Sequence, residues 1–525
     1  MTPPNVSPTG TGQGKHAAVR QSRRVASPLI TAVIVLLVLA YLLGPAVWQW
    51  STGQTKMAAM SNEQVTTIDA NDIDSALVDK LVAAPTSTQS GPLILTYHDI
   101  GYEKGQYQTT PEAFATQMKL LADAGWTTIS AGQLLDWLDG KPLPAHSVMI
   151  TFDDGTRGVW KYADPILASH NMRAISFVIT GFVGTHEPYY MTWEQIEELH
   201  SSGRWDIESH THLGHLEVPV DSKGTTAPFL TSLMWLDSKN RKETVEEWRD
   251  RVTTDLKESK DEIARHGLGE PTLFAYPFSA NRTDPDGTSL LPGVLAPMFR
   301  ASLLDAGGVA RTTTLANLAS GDVARMDITS DVTPAVLTDR LLEASGIDPR
   351  GLHPLVGPNR VKWATAQDTD TAIAVPGADG TIEFKSRANY QRYVFAPVAT
   401  AMWCTYTVTA DIGGFQPDST SSAGLIALLE DAKNQIDVSV SGDEFQVHRG
   451  LDNDLVAAGA LAFGSSHRVQ ISVSTTAVSV TVDGVRVYSA TIDAPTGGHR
   501  VAGSVAVYQA ASSARPTTIR NMTIS

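Results

Sequence analysis

Cysteine is all but missing. Cys404 stands alone among 525 residues, which excludes an intramolecular disulfide and any thiolate cluster, so a bound metal would have to use histidine and carboxylate. Positive charge is also in short supply: 40 Lys and Arg against 56 Asp and Glu leave a formal net charge of -16. Nucleic acid is thereby excluded as a partner, because phosphate binding needs a basic surface, whereas a neutral or cationic polymer remains compatible. Internal repeats and low-complexity tracts are absent, and only one long hydrophobic run occurs.

That run, Pro28–Trp50, follows a stretch that is itself short of acid: no Asp or Glu precedes Glu63, while Lys15, Arg20, Arg23 and Arg24 lie just ahead of the apolar segment. The arrangement predicts a cytoplasmic basic tail over 1–27 and a transmembrane anchor over 28–50, with Trp48 and Trp50 at the interface. No small-x-small cleavage site follows, so an uncleaved anchor is expected over a removed signal peptide; Arg23-Arg24 also permits twin-arginine export. Each reading puts the rest of the chain outside the cytoplasm, in a single-pass cell-membrane protein. Residues 51–90, rich in Ser, Thr, Ala and Asp, read as a linker with one short helix at most.

What the chain does contain is organised around Ser147–Gly155, SVMITFDDG. Its apolar run predicts a strand buried on both faces, ending on two adjacent carboxylates, Asp153 and Asp154. Strand and helix signals alternate on either side of it. Strands are expected at Leu93–His98, Trp126–Ile129, Ile175–Thr180, Trp205–Ser209, Thr272–Phe278, Phe299–Leu303 and Ala324–Ile328; helices are signalled after Thr110-Pro111, Ser130, Thr192 and Thr333-Pro334, and over Glu243–His266. Repeated β-α units predict a parallel sheet, and their number suits an α/β barrel spanning 91–352. A linker is expected over 353–380. Strict alternation then takes over, as in Ile436-Asp-Val438-Ser-Val440 and Val478-Ser-Val480-Thr-Val482, with Asp483-Gly484 as a hairpin turn. An all-β sandwich is expected over 381–525.

His210, His212 and His215 follow the strand at Trp205–Ser209 as Asp154 follows its own strand, so they can meet at one edge of the barrel. Two neutral imidazoles and a carboxylate make an open site for a hydrolytic divalent metal, usually Zn2+. Asp154, His210 and His215 are the expected ligands, and His212 is not expected to join them.

TFDDG, the histidine loop and Phe274-Ala275-Tyr276-Pro277-Phe278 together resemble the successive motifs of the polysaccharide deacetylases, the NodB-homology or carbohydrate esterase family four domain, over roughly Gly91–Gly346. The resemblance implies a distorted β/α barrel and metal-dependent N-deacetylation of acetylated amino sugars, with Asp153 as catalytic base. Two departures refine it. The histidines are five residues apart instead of four, and Ala275 replaces the arginine usual before the Pro-Phe motif. Both features resemble the poly-N-acetylglucosamine deacetylase branch. That branch implies that the general acid is His98, at the end of an early strand in Leu95-Thr96-Tyr97-His98-Asp99. No histidine counterpart of the family's late motif occurs around Arg325–Asp331, and Asp327 and Asp331 carry no assignment. An amide is a poor electrophile, so this chemistry needs a metal to polarise it, a base, an acid, and a donor to the developing oxyanion, for which the backbone N–H of Phe278 is expected.

The C-terminal region resembles concanavalin-like jelly rolls such as laminin-G domains by strand pattern alone. The expected activity is deacetylation of an extracellular N-acetylglucosamine polymer, first poly-β-1,6-N-acetylglucosamine, with chitin or peptidoglycan as the alternative substrates and a polysaccharide synthase as a candidate partner. A catalytically inactive glycan-binding or scaffold protein is the reading from another class. The retained Asp153, Asp154, His210, His215 and His98 set speaks against it.

Overall fold

The computed structural model describes residues 63–525 apart from 66, 187, 282–289, 306–311, 366–375, 385–389, 418–419, 493–500 and 512–515. The basic tail and the apolar segment 28–50 lie outside the described residues, among which no helix is long and apolar enough to cross a membrane.

Eight strands build the first half: β1 (Ile94–Tyr97), β2 (Thr127–Thr128), β3 (Ser147–Phe152), β4 (Ala174–Val178), β5 (Trp205–Ser209), β6 (Leu273–Ala275), β7 (Ala301–Asp305) and β8 (Asp322–Asp327). Seven of them close a parallel ring in the order β1-β3-β4-β5-β6-β7-β8, shut by the pairing of β8 with β1 at Thr96↔Asp327. The short β2 stays outside the ring and pairs with the opening residues of β3.

The helices of this half are α1 (Ser75–Val82), α2 (Pro111–Asp123), α3 (Ala131–Leu138), α4 (Asp164–Ser169), α5 (Trp193–Ser201), α6 (Val245–Arg265), α7 (Leu291–Leu295), α8 (Leu315–Ala319) and α9 (Pro334–Ala344). Thr110 and Thr333 cap α2 and α9 ahead of a first-turn proline, and Ser130, Thr192 and Thr244 close capping boxes on α3, α5 and α6. Outward-facing strand residues such as Leu95, Ile150 and Met326 join Phe114, Met118 and Leu341 of the helices in one core. Their immediate neighbours along each strand point the other way. Ile94, Met149, Ile175, Leu273, Ala301 and Val323 gather in a second core with Leu134 and Trp137 of α3. That core fills the lower barrel, while the upper interior is polar.

Two expected linkers belong to folded structure. Within 51–90, the described residues from 63 on pack against the barrel: Leu81 is fully buried, Val65, Ile68 and Ile73 lie against the same core, the Trp126 indole donates to Leu81 O, and Gln64 reaches Trp160 O and the Asp164 carboxylate. Only the short α1 in this stretch shows a helical period, through Leu77, Val78 and Leu81; the apolar residues before it are too widely spaced to announce their burial. Within 353–380, Trp363–Thr365 pairs antiparallel with Gln391–Phe395, and Trp363 is buried in the sandwich. Leu352 already bridges Ile524.

The sandwich proper stacks a seven-stranded and a six-stranded antiparallel sheet. Alternating valines and isoleucines such as Val438, Val447, Ile471 and Val480 fill the layer between them. Its outlying residues Met402 and Ala502 join the lower barrel core beside Ile94 and Leu273. Gln89 ties the same junction, accepting from the N–H groups of Cys404 and Thr405 and donating to Thr405 O.

Candidate metal and catalytic site at the barrel mouth

β3, β5, β6 and β8 end together at the upper rim, and the first three end on residues that the sequence marks. β3 runs into Asp153, Asp154 and Gly155; β5 runs into His210. Several rim residues sit at positive φ although they carry side chains: Asp154 (71°), Thr211 (79°), Phe278 (57°) and Ser279 (52°). Such conformations cost roughly 1–3 kcal/mol each and persist where surrounding structure enforces them. Here the enforced turns swing side chains off the strand direction and into the barrel mouth.

Three side chains meet there. Oδ1 of Asp154 lies 3.4 Å from Nε2 of His210 and 3.4 Å from Nε2 of His215. The three ligand atoms all fall within 4.8 Å of one another. The Nδ1 of His210 is 2.8 Å from Ala275 O. A carbonyl only accepts, so Nδ1 donates to it and Nε2 is the ring nitrogen left facing the carboxylate. Asp154 Oδ1 is itself buried and makes no hydrogen bond. Lone pair facing lone pair is repulsive unless a cation or a proton lies between, and oxygen and nitrogen donors in this number suit a divalent metal such as zinc with positions left open. Burial pushes the Asp154 carboxyl up, but His210 and His215 outweigh it and the net shift is downward. His212 stands apart, its Nδ1 against Thr180 Oγ1 at 3.0 Å.

Asp153 is the second feature. Its carboxylate takes a two-pronged pair from Arg325, Nη1–Oδ1 at 2.7 Å and Nη2–Oδ2 at 2.8 Å. Both residues are buried. Burial alone raises the Asp153 carboxyl, yet the Arg325 charge and its hydrogen bonds, with His210 and His98 nearby, hold it well below the usual carboxylate range. Asp153 therefore stays ionised inside the barrel.

His98 completes the group. Its Nδ1 lies 3.9 Å from Asp327 Oδ1, too long for a hydrogen bond, and neither buried atom has another partner. Asp327 is pushed up to about 6, first by burial and then by the charge of Asp305, with His98 and Arg325 pulling the other way. The half-exposed ring of Tyr107 leans on the His98 imidazole at 4.7 Å. Phe278 does the same to His215 at 4.5 Å, its side chain 52% exposed.

Two members of this constellation were not singled out from the sequence, Arg325 and the pairing of Asp327 with His98. The signal was there in the two-residue period of β8: Val323, Arg325 and Asp327 share its inner face. Asp331 is exposed, bonds to Thr329, and takes no part.

Residues 140–286 match the polysaccharide deacetylase family. A poly-β-1,6-N-acetyl-D-glucosamine N-deacetylase of Staphylococcus epidermidis is 29% identical over 183 residues, 34% of this chain and 56% of that protein. One of Escherichia coli K12 is 23% identical over 217 residues, 38% of this chain and 32% of that protein. The matched part thus spans between a third and little more than half the length of these relatives. A solved de-N-acetylase from Aggregatibacter actinomycetemcomitans is 21% identical with a TM-score of 0.41, covering 47% of this chain and 99% of that one. His98, Arg325 and Asp327 lie outside the family match, but it takes in Asp153, Asp154, His210, His215 and Phe278, so this part of the barrel is similar to a polysaccharide deacetylase domain.

Proposed function

We propose that this protein removes N-acetyl groups from N-acetylglucosamine units of an extracellular polymer, with poly-β-1,6-N-acetylglucosamine as the first substrate. The observation that carries the reading is the convergence of Asp154, His210 and His215 on one point beside an ion-paired carboxylate and a histidine at the mouth of one barrel. The names of the matched relatives support the choice of polymer.

Asp154, His210 and His215 would hold a divalent metal, zinc first, which when bound polarises the amide and makes water more acidic. The remaining steps belong to the chain. Asp153, kept ionised by Arg325, takes the proton from the attacking water. The N–H of Phe278, turned by the left-handed conformation of its own residue, faces the developing oxyanion. His98 gives a proton to the departing amine, and Asp327 stabilises the imidazolium that this needs. Half-exposed Tyr107 and Phe278 offer flat apolar faces for a sugar ring at the same mouth.

The basic tail and apolar segment support a single-pass cell-membrane protein with the barrel outside the cytoplasm, where a polymer leaving a synthase would meet it. Fractionation should place the full chain in membranes, with the barrel open to added protease on intact cells; release of a shortened soluble chain would refute the anchor. For the activity, mass spectrometry of β-1,6-linked N-acetylglucosamine oligomers should show loss of acetyl groups that a chelator stops and zinc restores. Preferential loss from β-1,4-linked oligomers would move the substrate to chitin or peptidoglycan. Retention of every acetyl group on both series would leave a glycan-binding or scaffold role.

A further inference from the structure

The histidine loop is held from beneath by a residue outside every motif described so far. Asp255 lies on the inner side of α6, buried, between Val252 and Leu256 of the core and one turn before Ser259, whose hydroxyl meets Ser209 at 2.8 Å. Its carboxylate accepts from two successive backbone N–H groups of the loop, Oδ2 from His212 at 3.1 Å and Oδ1 from Leu213 at 2.7 Å, and the N–H of Gly214 faces it as well. The opposite edge of the loop is satisfied by the chain after β4: Thr180 donates to Thr211 O and Gly181 to His212 O. Every polar group of the short turn between His210 and His215 that these bonds involve is thus held by a fixed neighbour.

The close fit explains a glycine. A Cβ on Gly214 would lie 3.0 Å from Asp255 Oδ2 and 3.1 Å from Thr211 Cγ2. No side chain fits without moving the carboxylate. His210 does not depend on this arrangement, because it leaves β5 directly and is fixed by its own bond to Ala275 O. His215 does depend on it: it leaves the turn directly, and the turn sets the backbone from which its Nε2 reaches the same oxygen of Asp154 that His210 faces.

We propose that Asp255 is the positioning residue for His215, acting through the backbone of residues 212–214 to set the third metal ligand. The proposal rests on the reading of Asp154, His210 and His215 as a metal site. It assigns the spacing of five between the histidines to a turn whose conformation a side chain outside the turn dictates.

The test is a double-mutant cycle on zinc affinity, measured on the full metal-free chain by competition with a chromophoric chelator. Asp255→Asn keeps size but puts an N–H2 where only acceptors fit, and Asp255→Ala removes the acceptor. Each should weaken zinc binding by about tenfold to a hundredfold, the usual loss when a group supporting a metal ligand is removed. In a His215→Ala background the same changes should have almost no further effect, because the ligand they position is gone. An equal loss in both backgrounds would mean that Asp255 supports the fold in general, and unchanged affinity in the parent background would mean that the turn holds itself; either overturns the proposal. So would an Asp255→Asn chain that fails to fold, since near-identical shape should spare everything but the turn. A parent chain that binds no zinc would instead overturn the metal site itself.

Discussion

At the residue scale the site depends on one buried ion pair, and its pH behaviour follows from the sign of the shift. The Asp153 carboxyl lies below its ordinary value of 3.8, so the pair's contribution is present in full above pH 4 and is lost as pH falls through the lower folded value. Arg325→Met leaves that carboxylate buried without its partner. In the metal-free protein this should cost roughly 3–5 kcal/mol near neutral pH. The deficit against the parent should already shrink as pH falls toward 4, because burial without Arg325 raises the Asp153 carboxyl and lets it take a proton in the variant while it stays ionised in the parent. Thermal unfolding from pH 3 to 7 reads both effects, and a gap independent of pH would remove the ion pair from the account. His98 gives a kinetic contrast. His98→Ala should keep zinc and lose about a hundredfold or more in turnover, with the alkaline limb of the pH-rate profile abolished. Asp327→Asn should shift that limb to lower pH without erasing it, because the imidazolium loses the carboxylate beside it but not its own proton.

At the element scale, most of what places these residues could be read before any coordinates. Strand runs bounded by helix caps gave the barrel its order, because parallel strands buried on both faces are nearly continuous apolar runs and threonine-proline or Thr-x-x-Gln openings are local signals. TFDDG and the histidine loop sit at strand ends as expected. Arg325 is not legible in the sequence because its partner is 172 residues away, and only the ring closure, with β8 paired to β1 and β1 to β3, brings them together. Asp327 is hidden for the same reason. The segment 63–84 reads as a linker with one short helix, and that helix is present as α1, but the packing of Val65, Ile68 and Ile73 comes from tertiary contacts that no period announces. Its role gives a direct check. Leu81 is fully buried against Trp126 and the α2 side of the core. Leu81→Ala should therefore lower stability by about 2–5 kcal/mol, measured by denaturant unfolding, whereas an outlying tether would tolerate it unchanged.

At the scale of the whole molecule, the two folded parts share a core. A parallel barrel must fill its lower opening; here α3 supplies Leu134 and Trp137, Ile129 and Leu318 add to them, and the sandwich contributes Met402 and Ala502. Met402 is almost fully buried among Ile94, Met149 and Leu273 of the barrel floor. The sandwich is thus a stopper for the barrel as well as a domain of its own, at the end of the barrel opposite Asp154, His210 and His215. A consequence is that unfolding of the two should be coupled through that contact. Met402→Ala in the full chain removes the side chain from a floor that lies on the barrel side of the junction and should cost about 2–5 kcal/mol. The loss should appear in the barrel's transition, followed by zinc release, and also in that of the sandwich, because one cannot leave the junction without exposing the other. If the barrel melted as in the parent while only the sandwich shifted, the junction would be a loose docking of two independent domains, and the lower barrel would be closed without the sandwich.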